Sequence, residues 1–352
     1  MRGIVVAAFM ALAALPASAQ LPETVTTTVA PLVQKVTPAV VNISIRQVSP
    51  QAANPLLQDP FFRKFFELPG NIPKRETRAA GSGVIVDARA GYVLTNHHVV
   101  EDADRIDVTT KDNRTFRARL VGADPATDIA VLKIDADNLT DIPFGNSDKS
   151  QVGDFVLAIG NPFGLGQTVT SGMVSATGRS GLGIEGYEDF VQTDASINPG
   201  NSGGALVNFR GELIGINTAI LAPGGGNIGI GFAVPINMAR AVMQQIVQHG
   251  AVQRGRIGIA IQDLTPELAR SLGASRSQGA AVVKVEPGSP AARAGLKQGD
   301  VVTAVNGDEV NSATQLRNRI GLTRVGTRLD LAVERGGRPQ SVEVKVEAAG
   351  QE

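Results

Sequence analysis

Between residues 38 and 234, short runs rich in Val and Ile alternate with turns of Gly, Asn and Asp. Residues 83–86, 106–109, 152–159, 169–176 and 213–217 are examples. Runs of this length bounded by turn formers predict strands, and their close spacing predicts an all-β barrel or a pair of barrels. The rhythm changes at 236–249, where Ala239, Val242, Met243 and Ile246 fall on one side of a helix and Gly250 supplies the stop. Residues 250–255 then read as a hinge. A second set of apolar runs follows at 257–261, 281–285, 301–305, 329–333 and 342–346, with a helix expected over 314–320 capped by Ser312. The pattern therefore predicts a mainly β chain in two domains, over 20–250 and 256–350.

Three segments depart from this rhythm. Arg2, a short apolar run over 4–15 and Ala17-Ser18-Ala19 read as a secretory signal peptide over 1–19, cleaved before Gln20. That run is shorter than the ~20 apolar residues that span a bilayer. No other segment is long and apolar enough, so no integral membrane segment is expected after cleavage, and the expected address is the periplasm. Residues 20–35 are polar and Thr-rich and read as a poorly packed lead-in. Residues 46–80 hold five prolines and four of the chain's 12 Phe, at Phe61, Phe62, Phe65 and Phe66. The i,i+4 spacing of these rings could place pairs on one side of a short helix. Loops of this length in compact domains are usually functional or disordered.

Composition narrows the chemistry. The 352 residues carry 33 Lys and Arg against 33 Asp and Glu, without a long run of either sign, so no nucleic-acid partner is expected. There is no cysteine, which excludes disulfides and thiolate metal sites. The only three histidines are His97, His98 and His249, in two places, so neither a zinc site nor a cofactor is expected. His249 precedes Gly250 at a helix end, where it can meet the last carbonyls.

The candidate chemistry lies in Asn198-Pro199-Gly200-Asn201-Ser202-Gly203-Gly204-Ala205-Leu206. It places one serine in a tight glycine turn before an apolar strand. A serine hydroxyl becomes a nucleophile when a base can take its proton and backbone N–H groups can hold the resulting oxyanion. The base must be His97 or His98, where an apolar strand runs into a turn. The acid is Asp128, opening the buried run 128–134, or Asp124, whose place before Pro125 reads as a turn carboxylate. The chain order His, Asp, Ser is that of chymotrypsin-like double β-barrels.

Thr95-Asn96-His97-His98-Val99, Asp128-Ile129-Ala130 and Gly200-Asn201-Ser202-Gly203-Gly204 resemble the motifs of the HtrA/Deg (protease Do) family of serine endoproteases. The resemblance runs from about residue 30 to the C-terminus. It implies a catalytic set of His98, Asp128 and Ser202, with His97 in a variable slot, in the cleft of a chymotrypsin-like double barrel. Gly200 and Ser202 would supply the oxyanion hole. Asn201 stands where trypsin-like zymogens carry an Asp that pairs with a new N-terminus, so that activation is not expected here. The residue six before the nucleophile is the neutral Ser196, followed by Ile197. A pocket lined by Ile197 and part of 221–230 should prefer small aliphatic side chains. Asp194 is read as a structural hydrogen-bonding residue.

The blocks 294–302 and Val305-Asn306-Gly307 resemble a single PDZ domain. Its turn at Ile257, Gly258 and Ile259 would offer backbone N–H groups to a terminal carboxylate while the peptide adds a strand. Ile257, Ile259, Leu316 and Ile320 are candidates for the apolar pocket beneath. The resemblance further implies a homotrimer, a regulatory role for the loop at 46–80, unfolded proteins as substrates and Arg179 of Gly178-Arg179-Ser180-Gly181-Leu182 as a relay. Peptide-activated cleavage of a specific signalling substrate is the competing reading. No second PDZ domain follows in this sequence, which argues against large cages.

Overall fold

A computed structural model describes residues 28–47, 77–161, 166–182, 186–198, 200–220 and 229–349. β1 (Val40–Gln47), β2 (Thr77–Asp87), β3 (Tyr92–Thr95), β4 (Arg105–Thr109), β5 (Thr115–Asp124) and β6 (Ile129–Lys133) close an antiparallel barrel in the order β1-β2-β3-β6-β5-β4. β7 (Phe155–Gly160), β8 (Thr168–Arg179), β9 (Phe190–Thr193), β10 (Ala205–Asn208), β11 (Leu213–Ile220) and β12 (Gly231–Pro235) close a second, in the order β10-β11-β12-β9-β8-β7. Closure leaves no open sheet edge in either barrel. Ile43, Ile85, Leu94, Ile129 and Leu132 are fully buried in the first, and Leu157, Ile159, Phe190 and Phe232 in the second. The rings of Phe190 and Phe232 meet at 5.8 Å.

The helix Ile236–His249 ends at Gly250, whose left-handed φ of 79° lets the cap form. It buries Ile236, Ala239, Val242 and Ile246 against β5 and β6 of the first barrel and β11 of the second. Each large side chain among them contributes about 1.5–3 kcal/mol by leaving water. The helix thereby fixes one barrel against the other.

The remaining residues form β13 (Gly255–Arg256), β14 (Ile259–Asp263), β15 (Ala280–Val285), β16 (Val301–Val305), β17 (Asp308–Glu309), β18 (Arg328–Arg335), β19 (Arg338–Lys345) and β20 (Glu347–Ala348). The main sheet runs β14-β15-β16-β18-β19, so β14 is an edge strand. The helix Ala313–Leu322 packs against it, and Ser312 caps that helix by accepting the Gln315 N–H at 3.1 Å. This is the PDZ architecture, following a chymotrypsin-like double barrel.

Two expectations need correction. Ala30–Val36 is a helix rather than a loose lead-in: Pro31 pre-sets its first turn, Leu32 and Val33 pack on the barrel, and Val36 is buried. The bounds of the expected loop at 46–80 overlap strands at both ends, since β1 runs to Gln47 and β2 starts at Thr77. The Phe61–Phe66 cluster, the signal segment and 221–228 lie outside the described residues.

Candidate active site

β3 delivers the chain into the short helix His97–Val100, and the turn Pro125–Thr127 delivers Asp128 ahead of β6. Asp128 is buried and left-handed, with φ 54° and ψ 35°. That conformation costs a non-glycine residue about 1–2 kcal/mol. Four hydrogen bonds from the His97 region offset the cost. The Asp128 carbonyl accepts from the His97 N–H at 3.0 Å and the Asn96 Nδ2 at 3.0 Å. The carboxylate Oδ1 accepts from the His98 N–H at 3.0 Å, and the His98 Nδ1 lies 2.9 and 2.8 Å from the two oxygens.

The geometry separates the two histidines. His98 faces Asp128, whereas His97 Nε2 lies 3.7 Å from Glu101. Burial pushes the Asp128 carboxyl upward, but the His98 charge, its ring N–H, the Thr218 hydroxyl and the His98 backbone N–H together outweigh burial. Asp128 is therefore held below the ordinary carboxylate range and stays ionised.

Ser202 reaches the same place from the second barrel. Its Oγ donates to the Thr218 carbonyl at 3.1 Å, and the Thr218 Oγ1 donates to Asp128 Oδ2 at 2.6 Å. One residue of β11 thus touches both the serine and the acid. Gly203 has φ 81°, and a Cβ there would stand 2.1 Å from the Ser82 carbonyl, so the turn admits only glycine. Ser82 of β2 binds the turn across the cleft. Its N–H donates to the Ser202 carbonyl at 2.9 Å, its Oγ donates to the Gly200 carbonyl at 2.5 Å, and the same Oγ accepts the Asn161 N–H at 2.8 Å. Among the described residues, neither the Gly200 nor the Ser202 N–H donates a backbone hydrogen bond. An ionised acid, an imidazole on it, a hydroxyl and two amides without a backbone acceptor among the described residues are the parts of acyl transfer.

Sequence reading missed Thr218 and Ser82. Thr218 follows Asn217 inside an otherwise apolar strand, and buried polar residues there require partners. Ser82 lies between two glycines in a strand, a sign of close backbone approach.

The other predicted residues divide. Ser196 is half-buried and its carbonyl accepts the Thr170 Oγ1 at 2.7 Å. Ile197 is in the core of the second barrel, against Gly231. Asp194 accepts the Met173 N–H at 2.7 Å, a structural bond. Arg179, at the end of β8, donates to Gln192 Oε1 at 2.8 Å. Asp124 is more than a turn carboxylate: it accepts the Thr127 hydroxyl at 2.6 Å and pairs with Arg254 at 2.6 Å.

A second concave site lies on the edge strand of the PDZ sheet. It is lined by Ile257, Gly258, Ile259, Ile261 and Ile320, and by Tyr187 from the double barrel. Gly258 has φ 78°, and a Cβ there would meet Ser289 at 2.3 Å. The Ile257 and Gly258 carbonyls accept from Ala291 and Glu286, which turns the loop. Leu316 is buried in the core below the groove, and Ile261 takes the lining place expected of it.

Comparison with known proteins agrees with this architecture. Residues 81–216 match a trypsin-like peptidase domain and residues 255–346 a PDZ domain. The chain is 48% identical over 350 residues to the periplasmic pH-dependent serine endoprotease DegQ of Escherichia coli, covering 97% of this chain and 75% of the relative. It is 46% identical to the periplasmic serine endoprotease DegP of Escherichia coli, covering 97% and 78%. A solved structure of the HtrA-type protease AlgW with a decapeptide is 46% identical, with a TM-score of 0.64, covering 92% of this chain and 100% of that one. AlgW with a tripeptide gives 44% identity and a TM-score of 0.68, covering 92% and 98%.

Proposed function

The chain belongs to the HtrA family of serine endoproteases, and from that premise we propose that it degrades unfolded or damaged envelope proteins in the periplasm through an acyl-enzyme. Ser202 Oγ attacks the scissile carbonyl, and His98 Nε2 takes its proton and returns it to the leaving amine. Asp128 fixes the imidazole tautomer and stabilises the imidazolium. The Gly200 and Ser202 N–H groups hold the oxyanion, each donor typically worth a few kcal/mol. The observation that carries the reading is the bridge through Thr218, which holds Asp128 and the Ser202 hydroxyl on one residue. Casein digestion tests it: wild type cleaves and Ser202→Ala does not. Equal cleavage by both would sink the mechanism.

The neutral Ser196, six residues before the nucleophile, supports cleavage after Val, Ala or Ile. Mass spectrometry of casein fragments decides this, and a majority of cuts after Lys or Arg would refute it. The mature enzyme begins at Gln20 after signal cleavage, which N-terminal sequencing of a periplasmic extract reads directly.

The edge strand and the Gly258 turn support binding of apolar C-terminal peptides at the PDZ domain. Peptide-bound AlgW structures favour a second reading, in which such peptides activate cleavage of a specific substrate. Arg179 is then the relay, and Arg179→Ala should bind peptide without being stimulated by it.

A homotrimer is supported by an exposed pair of stacked rings, Phe155 and Phe209, 5.5 Å apart on the second barrel. Met173 pairs with Phe155 across β7 and β8 and is also exposed. A patch of large apolar side chains on a soluble domain marks an interface. Light scattering should give a trimer for the mature protein and a smaller species for Phe155→Ser/Phe209→Ser.

A further inference from the structure

Between the double barrel and the PDZ domain lies a cavity of about 220 Å³. Met238 and Ala241 of the helix Ile236–His249 line it from one domain, and Leu322 and Leu329 line it from the other. Those side chains make an apolar wall. The polar lining holds three carboxylates, from Asp148, Asp189 and Asp308, against one guanidinium, from Arg319. Arg319 is already engaged: it donates to the Asp308 carbonyl at 2.8 Å and lies 3.6 Å from Asp148. The lining is therefore net negative. Asn318, on the PDZ helix Ala313–Leu322, is 3% exposed and also lines the cavity. Its Nδ2 donates to the Glu188 carbonyl at 2.9 Å, while its Oδ1 is buried with no partner among the described residues. A buried acceptor left without a donor is costly. This oxygen belongs to the same corner as Asp189. Asn318 holds the residue before that aspartate, and Gln315, one helical turn earlier, hydrogen-bonds its carboxyl.

A matching occupant supplies positive charge, donors without acceptors and a short apolar body. A primary ammonium group has three N–H donors and no acceptor, which suits two carboxylates and one amide oxygen. A bare metal ion suits the cavity less: one wall is hydrocarbon, and no metal-holding cluster of three or more His, Asp or Glu occurs among the described residues. The volume is below the about 300–1,000 Å³ of sites for drug-sized ligands, so the body must be short. We propose that this cavity is a binding site for a short primary alkylammonium ion, held by Asp189, Asp148 and the Asn318 Oδ1, with its alkyl chain against Met238, Leu322 and Leu329. The proposal is independent of the catalytic reading. Burial and the Asp148 charge push the Asp189 carboxyl up to about 7, against the Gln315 hydrogen bond and the Arg319 charge. Below that pH a proton neutralises Asp189, and above it the ammonium ion takes the proton's place.

The experiment is a calorimetric titration of the full-length mature protein with butylammonium chloride, at pH about 8 and fixed ionic strength. Expected is one site per chain with a Kd of about 0.1–1 mM. Tetramethylammonium, a cation without N–H donors, should bind at least about 10-fold more weakly. Asp189→Asn removes one charge and should weaken butylammonium binding by about 10-fold or more. Ala241→Leu keeps every carboxylate but fills the cavity from the helix, and should abolish binding. Thermal melts check that both variants fold, and Asp189→Asn carries the test if Ala241→Leu does not. Lowering the pH from about 8 to about 5.5 should weaken wild-type binding about 10- to 30-fold, because a proton competes at Asp189. The same change should alter Asp189→Asn by less than about 3-fold. No binding by wild type overturns the proposal. Equal binding of tetramethylammonium, or undiminished binding to a folded Ala241→Leu, also overturns it, since either marks diffuse attraction to an acidic surface. An affinity indifferent to both pH and Asp189→Asn places the ammonium ion outside this cavity.

Discussion

The seam between the two barrels and the seam between the double barrel and the PDZ domain use different chemistry. At the barrel seam the groups are short and buried, and apart from the ionised Asp128 and its His98 partner they are neutral. Asn42 donates to the Asn161 carbonyl at 2.9 Å and Ser82 to the Gly200 carbonyl, while Thr95 braces the Ser82 carbonyl from within the first barrel at 2.7 Å. Ser82 and Thr95 have no exposed surface. At the PDZ seam long charged side chains near solvent contribute contacts beside the buried Asn318. Arg317 donates to the Gly186 carbonyl, Asn318 to the Glu188 carbonyl, and Arg319 lies 3.6 Å from Asp148. Neutral buried bonds are insensitive to salt, whereas half-exposed ion pairs are screened by it. The first seam should behave as one body with the site, and the second as a joint that solution conditions can loosen.

The largest effects test the barrel seam at its chemical centre. Ser202→Ala, His98→Ala and Asp128→Asn should each cost roughly 10⁴ to 10⁶ in turnover, as comparable triad knockouts do. Circular dichroism should show the fold retained. A next step down is Ser82→Ala, which leaves the buried Asn161 N–H and Gly200 carbonyl without their partner. Each unsatisfied group costs about 1–3 kcal/mol, or about 2–4 °C of Tm per kcal/mol in a domain of this size. Turnover should fall about 10-fold, less than the 10²–10³ of removing an oxyanion donor. Unchanged Tm and turnover would show that the seam does not depend on this serine.

The PDZ seam yields a pH prediction. Asp189 sits between β9 and the PDZ helix, in a cavity shared with Asp148, Asp308, Gln315 and Arg319. Burial first, and the Asp148 carboxylate second, push its carboxyl up to about 7, against the opposing Gln315 hydrogen bond and Arg319 charge. A carboxyl whose pKa is raised by docking favours the docked state when protonated. Its contribution is fully present below the ordinary carboxylate pKa and is lost as pH rises to about 7. Docking should therefore weaken between pH 5 and 7.5 in wild type. Asp189→Asn mimics the protonated form and should flatten that dependence. Small-angle scattering reads the separation of the domains, and parallel curves for the two proteins would remove Asp189 from the joint.

What the sequence revealed follows the same division. The serine turn is a local motif and was readable without a fold, whereas the residues alone left His97 or His98 and Asp124 or Asp128 open, and His98 and Asp128 were chosen by the family resemblance. The helix Ile236–His249 was readable to its last residue because an amphipathic stripe meets a glycine stop. Thr265 and Ser289, each followed by proline, cap short helices at Pro266–Leu272 and Pro290–Arg293. Those local signals were present but were not read as helices. Thr218 meeting Asp128, and Arg254 meeting Asp124, could not be read locally, since each pair is far apart in sequence. Such contacts exist only after both barrels close and the linker docks. For Asp124 the local Asp-Pro signal gave the turn correctly and hid the ion pair.

The smallest expected effect concerns the histidine next to the site. His97 touches Asp128 only through its backbone, whose N–H donates to the Asp128 carbonyl at 3.0 Å. Alanine keeps that bond. The imidazole itself lies 3.7 Å from Glu101, a residue with 52% side-chain exposure, and such a pair contributes little. His97 Nδ1 is buried with no partner among the described residues, so removing the ring also removes an unsatisfied group. These small terms oppose one another, and the net change in stability should stay within about 1 kcal/mol. His97→Ala should therefore keep kcat/KM on a peptide substrate within about 3-fold of wild type, while His98→Ala loses activity. A dead His97 variant beside an active His98 variant would reverse the assignment and move the base to the other face of the turn.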